Sequence, residues 1–461
     1  YYTVNLILDG FKAALSFYEK NIAEHFKTSY IGSNAVIRQI ETKDNIKKAP
    51  QLYDLTALQK VANKSFGYSA QQTLDIVQKL YENKLMTYPR TDSKYVSSAQ
   101  QELMSSLVRA LEECRPIPLN EDYQLNKVDI SKVVDDSKVT DHHAILVTKT
   151  GIKYDWNRLM ESERNIMTLV AYQMLIATYS PYKYQSTKVV IGVDEYEFET
   201  KTQNLVDIGY RALELKRQET LKVKKKDKED IVLPPLHENQ SLPIQDIQIE
   251  SKKTTPPSRF TEATLLEAME NCQIEEDHEL NAILKSVKGI GRSSTRANII
   301  ETIIRSGFID RQKNQLIATE KAHQLMSILP PILTSAKMTA EWEEKLDQIE
   351  RGELLSTQFM KEIELFVREV VEEEKSKVAT FQFKSNKPPK EEIGKCPKCQ
   401  NSVYESEKNF YCSNRECSFA LWKEDKFFKS QSKKINKTIA KGLLKQGEIL
   451  VKGLKSQKSG K

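Results

Sequence analysis

In the stretch LMTYPRTDSKYV, residues 85–96, a tyrosine and an arginine stand two positions apart around a proline. Pro89 fixes its own φ and pushes Tyr88 toward extended backbone, where residues two apart point to the same side. Tyr88 and Arg90 are therefore expected to project into one space. A phenol titrates at about 10, so a tyrosine nucleophile needs cationic help. A guanidinium favours the phenolate and also holds a phosphate bidentately. The pattern proposes phosphoryl transfer to Tyr88. Taken alone, however, a Tyr-Pro at a helix end is far more often packing than catalysis.

A second polar cluster is VTDHHAILVT, residues 139–148, in which His142 and His143 precede an apolar, strand-like run. A histidine can position a phosphate or shuttle a proton near neutral pH. Adjacent residues of a strand face opposite sides, so at most one of the two is expected to meet Tyr88. That adjacency counts against a His-hydrophobe-His relaxase, which needs two histidines on one strand face. Tyr88 also comes too early for a tyrosine recombinase.

In KGIGRSSTRANII, residues 288–300, small residues open a helix and Arg292 and Arg296 flank its start, a plausible phosphate seat. Cys396, Cys399, Cys412 and Cys417 give C-x2-C, twelve residues, then C-x4-C, with QNSVYESEKNFY between the pairs as a candidate hairpin. Four thiolates at this spacing suit a closed tetrahedral Zn2+ site, structural rather than catalytic. Tyr411, Phe419 and Trp422 are interleaved with lysines and could stack on single-stranded bases. Cys114 and Cys272 read as core thiols.

The elements that must position these groups can be read from periodicity. YYTVNLIL and NAVIRQI alternate as strands. A helix follows with Ser69 and Gln72 as its capping box and Leu74, Val77, Leu80 and Tyr81 as its buried stripe. Beyond Tyr88 a second helix is expected, with Ser98 and Gln101 as its box and Leu103, Leu107 and Leu111 inward. Residues 158–179 form another. Residues 182–250 return to strands around a Lys/Glu-rich loop at 214–230. After Pro256 and Pro257, two helices and the hairpin GFIDRQKNQLIAT make a winged-helix-like order. An acidic helical stretch covers 341–376.

The chain has 461 residues, enough for several domains, with 29% charged residues and a mean hydropathy of -0.55. No apolar run is long enough to span a bilayer. Cysteine usage suits a reducing, cytoplasmic setting. The net charge of +6 is concentrated at the end: residues 423–461 hold twelve Lys against three acidic side chains, a net of +9, leaving the preceding 422 residues at -3. Nucleic-acid contact in the body therefore requires local patches.

The stretches YDLTALQKVANKSFGYSAQQTLDIVQKLYENKLMTYPRTDS, TDHHAILVT, TTPPSRFTEATLLEAME, KGIGRSSTRANIIETIIRSGFI and MTAEWEEKLDQIERG occur here in the order found in type IA DNA topoisomerases. Over residues 1 to about 430 the chain resembles that family, and most of all its bacterial topoisomerase III branch. The resemblance implies an α+β, multidomain torus with a C-terminal zinc-ribbon-like module. A β-rich arch would comprise 1–48 and 183–252, a tyrosine-bearing winged-helix-like domain 49–182, and a winged-helix-like single-strand-binding domain 253–376. The four-cysteine module would cover 390–428 and a Lys-rich tail 429–461.

By the same resemblance Tyr88 is the nucleophile that links to a DNA 5′-phosphate, Arg90 holds the scissile phosphate and His142 supports the cleavage site. Arg90, Asp92, Arg259, Arg292, Ser294, Thr295 and Arg296 are the implied DNA contacts. The implied partners are single-stranded and negatively supercoiled DNA and a helicase or single-strand-binding protein, with the enzyme a monomer at the bacterial nucleoid. The family's Mg2+ sits in a Toprim domain with an Asp-x-Asp cluster. This sequence contains no Asp-x-Asp and opens YYTVNLILDGFKAAL, without Met. A fragment cut at both ends, inactive alone, is expected. The alternative is a non-catalytic DNA-binding scaffold that keeps the torus and the zinc tail.

Overall fold

The computed structural model describes residues 1–461 apart from 121–122, 140, 224–232, 275–277, 288, 379–390, 432 and 455–461. Part of the expected charged loop at 214–230, most of the linker before the cysteines and the last seven residues of the tail thus lie outside the described residues. The chain divides into two compact units, Tyr1–Ser376 and Lys377–Lys461. No helix among the described residues is long and apolar enough to cross a membrane.

Alternating sequence at both ends of the first 251 residues builds one sheet. Its strands are β1 (Tyr2–Leu8), β2 (Phe11–Phe17), β3 (Asn34–Lys47), β4 (Tyr182–Val193), β5 (Tyr196–Asp207), β6 (Ser241–Pro243) and β7 (Asp246–Ser251), in the order β6-β3-β4-β5-β2-β1-β7. Every pairing is antiparallel, with Val4 opposite both Leu15 and Ile249. Helix α1 (Lys20–Tyr30), which the strand reading of this stretch did not anticipate, covers one face. Its Phe26 is buried against Phe198 of β5 at 5.2 Å between ring centroids.

The second core is helical. Helices α2 (Leu55–Phe66), α3 (Ala70–Glu82), α4 (Gln101–Cys114), α5 (Lys149–Lys153) and α6 (Glu161–Thr178) gather around α6, almost every residue of which is buried from Ile166 to Thr178. The Ser69/Gln72 box is formed at α3. At α4 the register is one residue off the expected one: Gln100 accepts from Ser97 N at 3.1 Å, Leu103 is 46% exposed, and Met104, Leu107, Val108 and Leu111 face inward. The expected charged loop begins instead as α7 (Arg211–Thr220), whose Leu213 joins this helical core.

Beyond the two prolines stand α8 (Glu262–Glu270), α9 (His278–Ser286), α10 (Ser293–Arg305) and the hairpin β8 (Ile309–Gln312) with β9 (Gln315–Ala318). Next come α11 (Glu320–Ile328), α12 (Pro331–Thr334), α13 (Lys337–Glu350) and α14 (Ser356–Val378). In the second unit β10 (Glu392–Lys395), β11 (Ser402–Glu405), β12 (Asn409–Cys412) and β13 (Ala420–Trp422) make a four-stranded sheet. Short α15 (Lys426–Ser430) and α16 (Lys437–Gln446) follow, and Ile439 and Ala440 of α16 pack on Ile393, Val403 and Phe410. That part of the lysine-rich tail is therefore folded.

Within the first unit the helix ends cap one another. Glu262, 4% exposed, accepts from Ala70 N at the start of α3 (2.7 Å) and from Arg311 Nε (2.6 Å). Asn63 in turn accepts from Ala263 N at 3.1 Å. Glu262→Ala leaves a helix amide and a guanidinium short of a partner, and is expected to lower the unfolding free energy by about 1–3 kcal/mol in urea titrations followed by circular dichroism. A variant as stable as the parent would show that this cross-cap contributes nothing.

Candidate active site

From Tyr88 to Ser93 burial alternates: Pro89, Thr91 and Ser93 are buried, Tyr88 is half-buried, and Arg90 and Asp92 are exposed. Thr91 N donates to Pro89 O (3.0 Å), so the segment closes in a tight turn around Arg90 rather than running fully extended. The inward residues anchor it. Thr91 Oγ1 donates to His142 O at 3.0 Å, Ser93 Oγ to Lys138 O at 2.8 Å, and Leu55 N to Thr91 O at 3.1 Å.

Upstream, Met86 bridges Val147 antiparallel, and Thr87 N donates to Leu146 O at 2.9 Å. This pairing lays the 142–148 run beside the tyrosine. The His142 ring lies 4.5 Å from the Tyr88 ring, tilted by 48°. Tyr81, expected in the core stripe of α3, is 39% exposed and sets its edge against Tyr88 at 5.4 Å. Tyr88 is therefore held between two rings with its face partly open to solvent. His143 turns away and approaches Ala144 O with Nδ1 at 2.7 Å.

The start of α10 comes to the same place. Arg90 Nη1 reaches Ser294 O at 3.5 Å, across 204 residues of sequence. Gly289 (φ +82°) and Gly291 (φ +68°) make the bend before it, and a Cβ at Gly289 would lie 2.0 Å from Met269 O, so only glycine fits. Arg292 and Thr295 are exposed and Ser294 is half-buried. Arg296, expected beside them as a phosphate contact, is 2% exposed, with its guanidinium enclosed by protein. Arg259 is exposed in the coil before α8. A cleft of about 810 Å³ that no sequence pattern announced opens next to Asp92, lined among others by Lys94, Tyr95, Lys138, Glu270 and Lys285.

In the second unit the Sγ atoms of Cys396, Cys399, Cys412 and Cys417 all lie within 4.8 Å of one another. The expected hairpin between the pairs is formed by β11 and β12. The Asn401 side chain, 3.5 Å from Sγ, donates to the Cys399 thiol and holds it down to about 6, whereas burial pushes the Cys412 thiol up to about 12, so the thiols of this cluster do not shift in one direction. This donor set fits Zn2+. It is the one group of three or more Cys, His, Asp or Glu among the described residues gathered closely enough for an ion. Cys114 is exposed rather than in the core, and Cys272 is half-buried.

The model of the DNA topoisomerase family matches residues 1–361. The chain belongs to the type IA DNA topoisomerases. It is 35% identical over 400 residues to DNA topoisomerase 3 of Bacillus anthracis, covering 83% of this chain and 53% of the relative. To DNA topoisomerase 3 of Bacillus subtilis it is 32% identical over 412 residues, covering 87% and 55%. The chain thus spans about half the length of the curated relatives it matches. Among solved structures, full-length topoisomerase I from Thermotoga maritima shares the fold with a TM-score of 0.58 at 21% identity, over 92% of this chain and 66% of that one.

Burial lowers the pKa of His143 in this topoisomerase chain, against the bond to Ala144 O and with help from neighbouring His142. A folded-state value below the unfolded one means that the unfolded chain binds more protons below the ordinary histidine value of about 6.5. Stability is then full above that value and falls as pH drops through it. His143→Gln is expected to flatten the pH dependence of the unfolding midpoint between about pH 7 and pH 5. An unchanged slope would assign the acid sensitivity to other groups.

Proposed function

We propose that this chain carries the cleavage and religation residues of a type IA, topoisomerase III-like enzyme acting on single-stranded DNA. The observation that supports this most directly is the presentation of Tyr88: half-buried, ringed by His142 and Tyr81, with exposed Arg90 tied to the start of α10. The roles that follow are those of this chain's own side chains.

Arg90 and Arg292 hold the scissile phosphate by charge-assisted hydrogen bonds. The exposed amide end of α10 at Ser294 and Thr295 faces the same anion. The Tyr88 oxygen attacks phosphorus and gives up its proton to solvent, and the bond from phosphorus to the 3′-oxygen breaks. The strand then ends in a 3′-hydroxyl, protonated from solvent, and a 5′-phosphotyrosine. His142 fixes the attacking ring. Because the phosphodiester energy is kept in the tyrosyl ester, the reverse attack by the 3′-hydroxyl reseals the strand without ATP. Between the two steps a second strand passes, relaxing negative supercoils or decatenating DNA. Arg259 and Asp92 line the single strand's approach. The enzyme works as a monomer at the bacterial nucleoid, with a helicase or single-strand-binding protein supplying unwound DNA.

The test uses residues 1–461 alone and fused behind the acidic Toprim domain that the family resemblance implies. The chain alone is expected to bind an oligonucleotide without relaxing a plasmid. The fusion should form a denaturant-stable protein–oligonucleotide adduct that Tyr88→Phe abolishes and Arg90→Ala slows about a hundredfold or more. An adduct that survives Tyr88→Phe would refute the assignment.

The four cysteines act as a closed Zn2+ site that folds the second unit. Purified protein should release one zinc per chain on thiol modification. Cys412→Ser should lose that zinc and melt the second unit, with the first unit's unfolding unchanged. Zinc-free wild-type protein with the second unit intact would count against the site.

A further inference from the structure

Arg296 stands on the first turn of α10 beside exposed Thr295, yet it is 2% exposed. Its Nε donates to Ile290 O in the bend before the helix, at 3.1 Å, and its Nη1 to Thr56 Oγ1 on the first turn of α2, at 3.1 Å. Burial works against its charge, and the carboxylates of Glu270, Asp54 and Asp92 support it. Asp54 is the N-cap of α2, and Asp92 lies four residues from Tyr88. One guanidinium therefore joins the first turn of α2 to the bend before α10, and α2 in turn holds the segment 88–93 through Leu55 N, which donates to Thr91 O at 3.1 Å. Two of its donors are spent on protein, and the side chain is almost wholly shielded from solvent.

We propose that Arg296 is a positioning residue and not a phosphate ligand: it locks the segment carrying Tyr88 and Arg90 against the start of α10, so that Arg90 and Arg292 converge on one phosphate. This deepens the reading of the site given above and rests on it. It removes one arginine from the expected DNA contacts and gives it a different task.

The experiment measures binding of the full 461-residue chain to a short fluorescent oligonucleotide by anisotropy over a series of salt concentrations. Each lost contact to a single-strand phosphate lowers the slope of log affinity against log salt by about 0.7, which is the result expected for Arg292→Ala and Arg90→Ala. Arg296→Met should instead keep the parent's slope and weaken binding about two- to tenfold, the effect of lost positioning hydrogen bonds. Thr56→Val, which removes the partner and leaves the arginine, should act in the same way, and Arg296→Lys should recover part of the loss. The proposal is overturned if Arg296→Met lowers the slope as Arg292→Ala does, or if Thr56→Val binds as the parent does. Should Arg296→Met fail to fold, Thr56→Val and Arg296→Lys decide by the same criteria. If neither Arg90→Ala nor Arg292→Ala alters the slope, the reading of the site itself fails, and the proposal with it.

Discussion

Everything at the site depends on one non-local pairing, of residues 85–96 with residues 142–148. Neither stretch belongs to a sheet, so its buried backbone groups would go unpaired without the other. Thr87 N and Leu146 O, Leu146 N and Thr87 Oγ1, Ala144 N and Tyr95 O, and Thr91 Oγ1 and His142 O satisfy one another at 2.8–3.0 Å. Beneath them Ala144 to Val147 sit on the buried helix α6, and Val147 N points at Met174 Sδ at 3.3 Å. The apolar run fixes the floor, the hydrogen bonds fix the register, and the register sets the His142 ring beside Tyr88.

The arginines divide by what surrounds them. A body with a slight negative excess gains nothing from its overall field for holding DNA, so the role proposed for exposed Arg90 and Arg292 has to be a local one. A buried guanidinium is costly to desolvate and persists only when hydrogen-bonded and faced by opposite charge, the condition that Arg296 meets with Thr56, Ile290 and three nearby carboxylates. One residue type thus serves two purposes within five positions of the same helix start.

That division marks the limit of what sequence alone could tell. The Ser69/Gln72 cap, the wing hairpin and the four cysteines were legible because each is a local pattern with one physical solution. Helix α1 was hidden because its apolar residues are few and its N-cap Glu19 makes no side-chain cap. The start of α4 slipped by one residue because Ser97, Ser98, Gln100 and Gln101 offer two equivalent boxes. The exposure of Tyr81 and the burial of Arg296 were hidden for a common reason: a helical position predicts a face, and only tertiary packing decides what covers that face.

The meeting of segment 88–93 with α10 shows how such packing is enforced across two hundred residues. Closing so long a loop costs entropy that no single contact offsets, so several contacts must form together. The end of α8 supplies them. Met269 O accepts from Ile290 N at 2.8 Å, in a bend so tight that Gly289 tolerates no side chain. Glu270 pairs with Lys60 of α2 at 3.2 Å and lies near Arg296. The bend therefore brings α10 against α8, the ion pair brings α8 against α2, and Leu55 at the head of α2 holds Thr91. Tyr88 is positioned last in that chain of contacts, and any change that loosens α8 from α2 reaches Tyr88 without touching it.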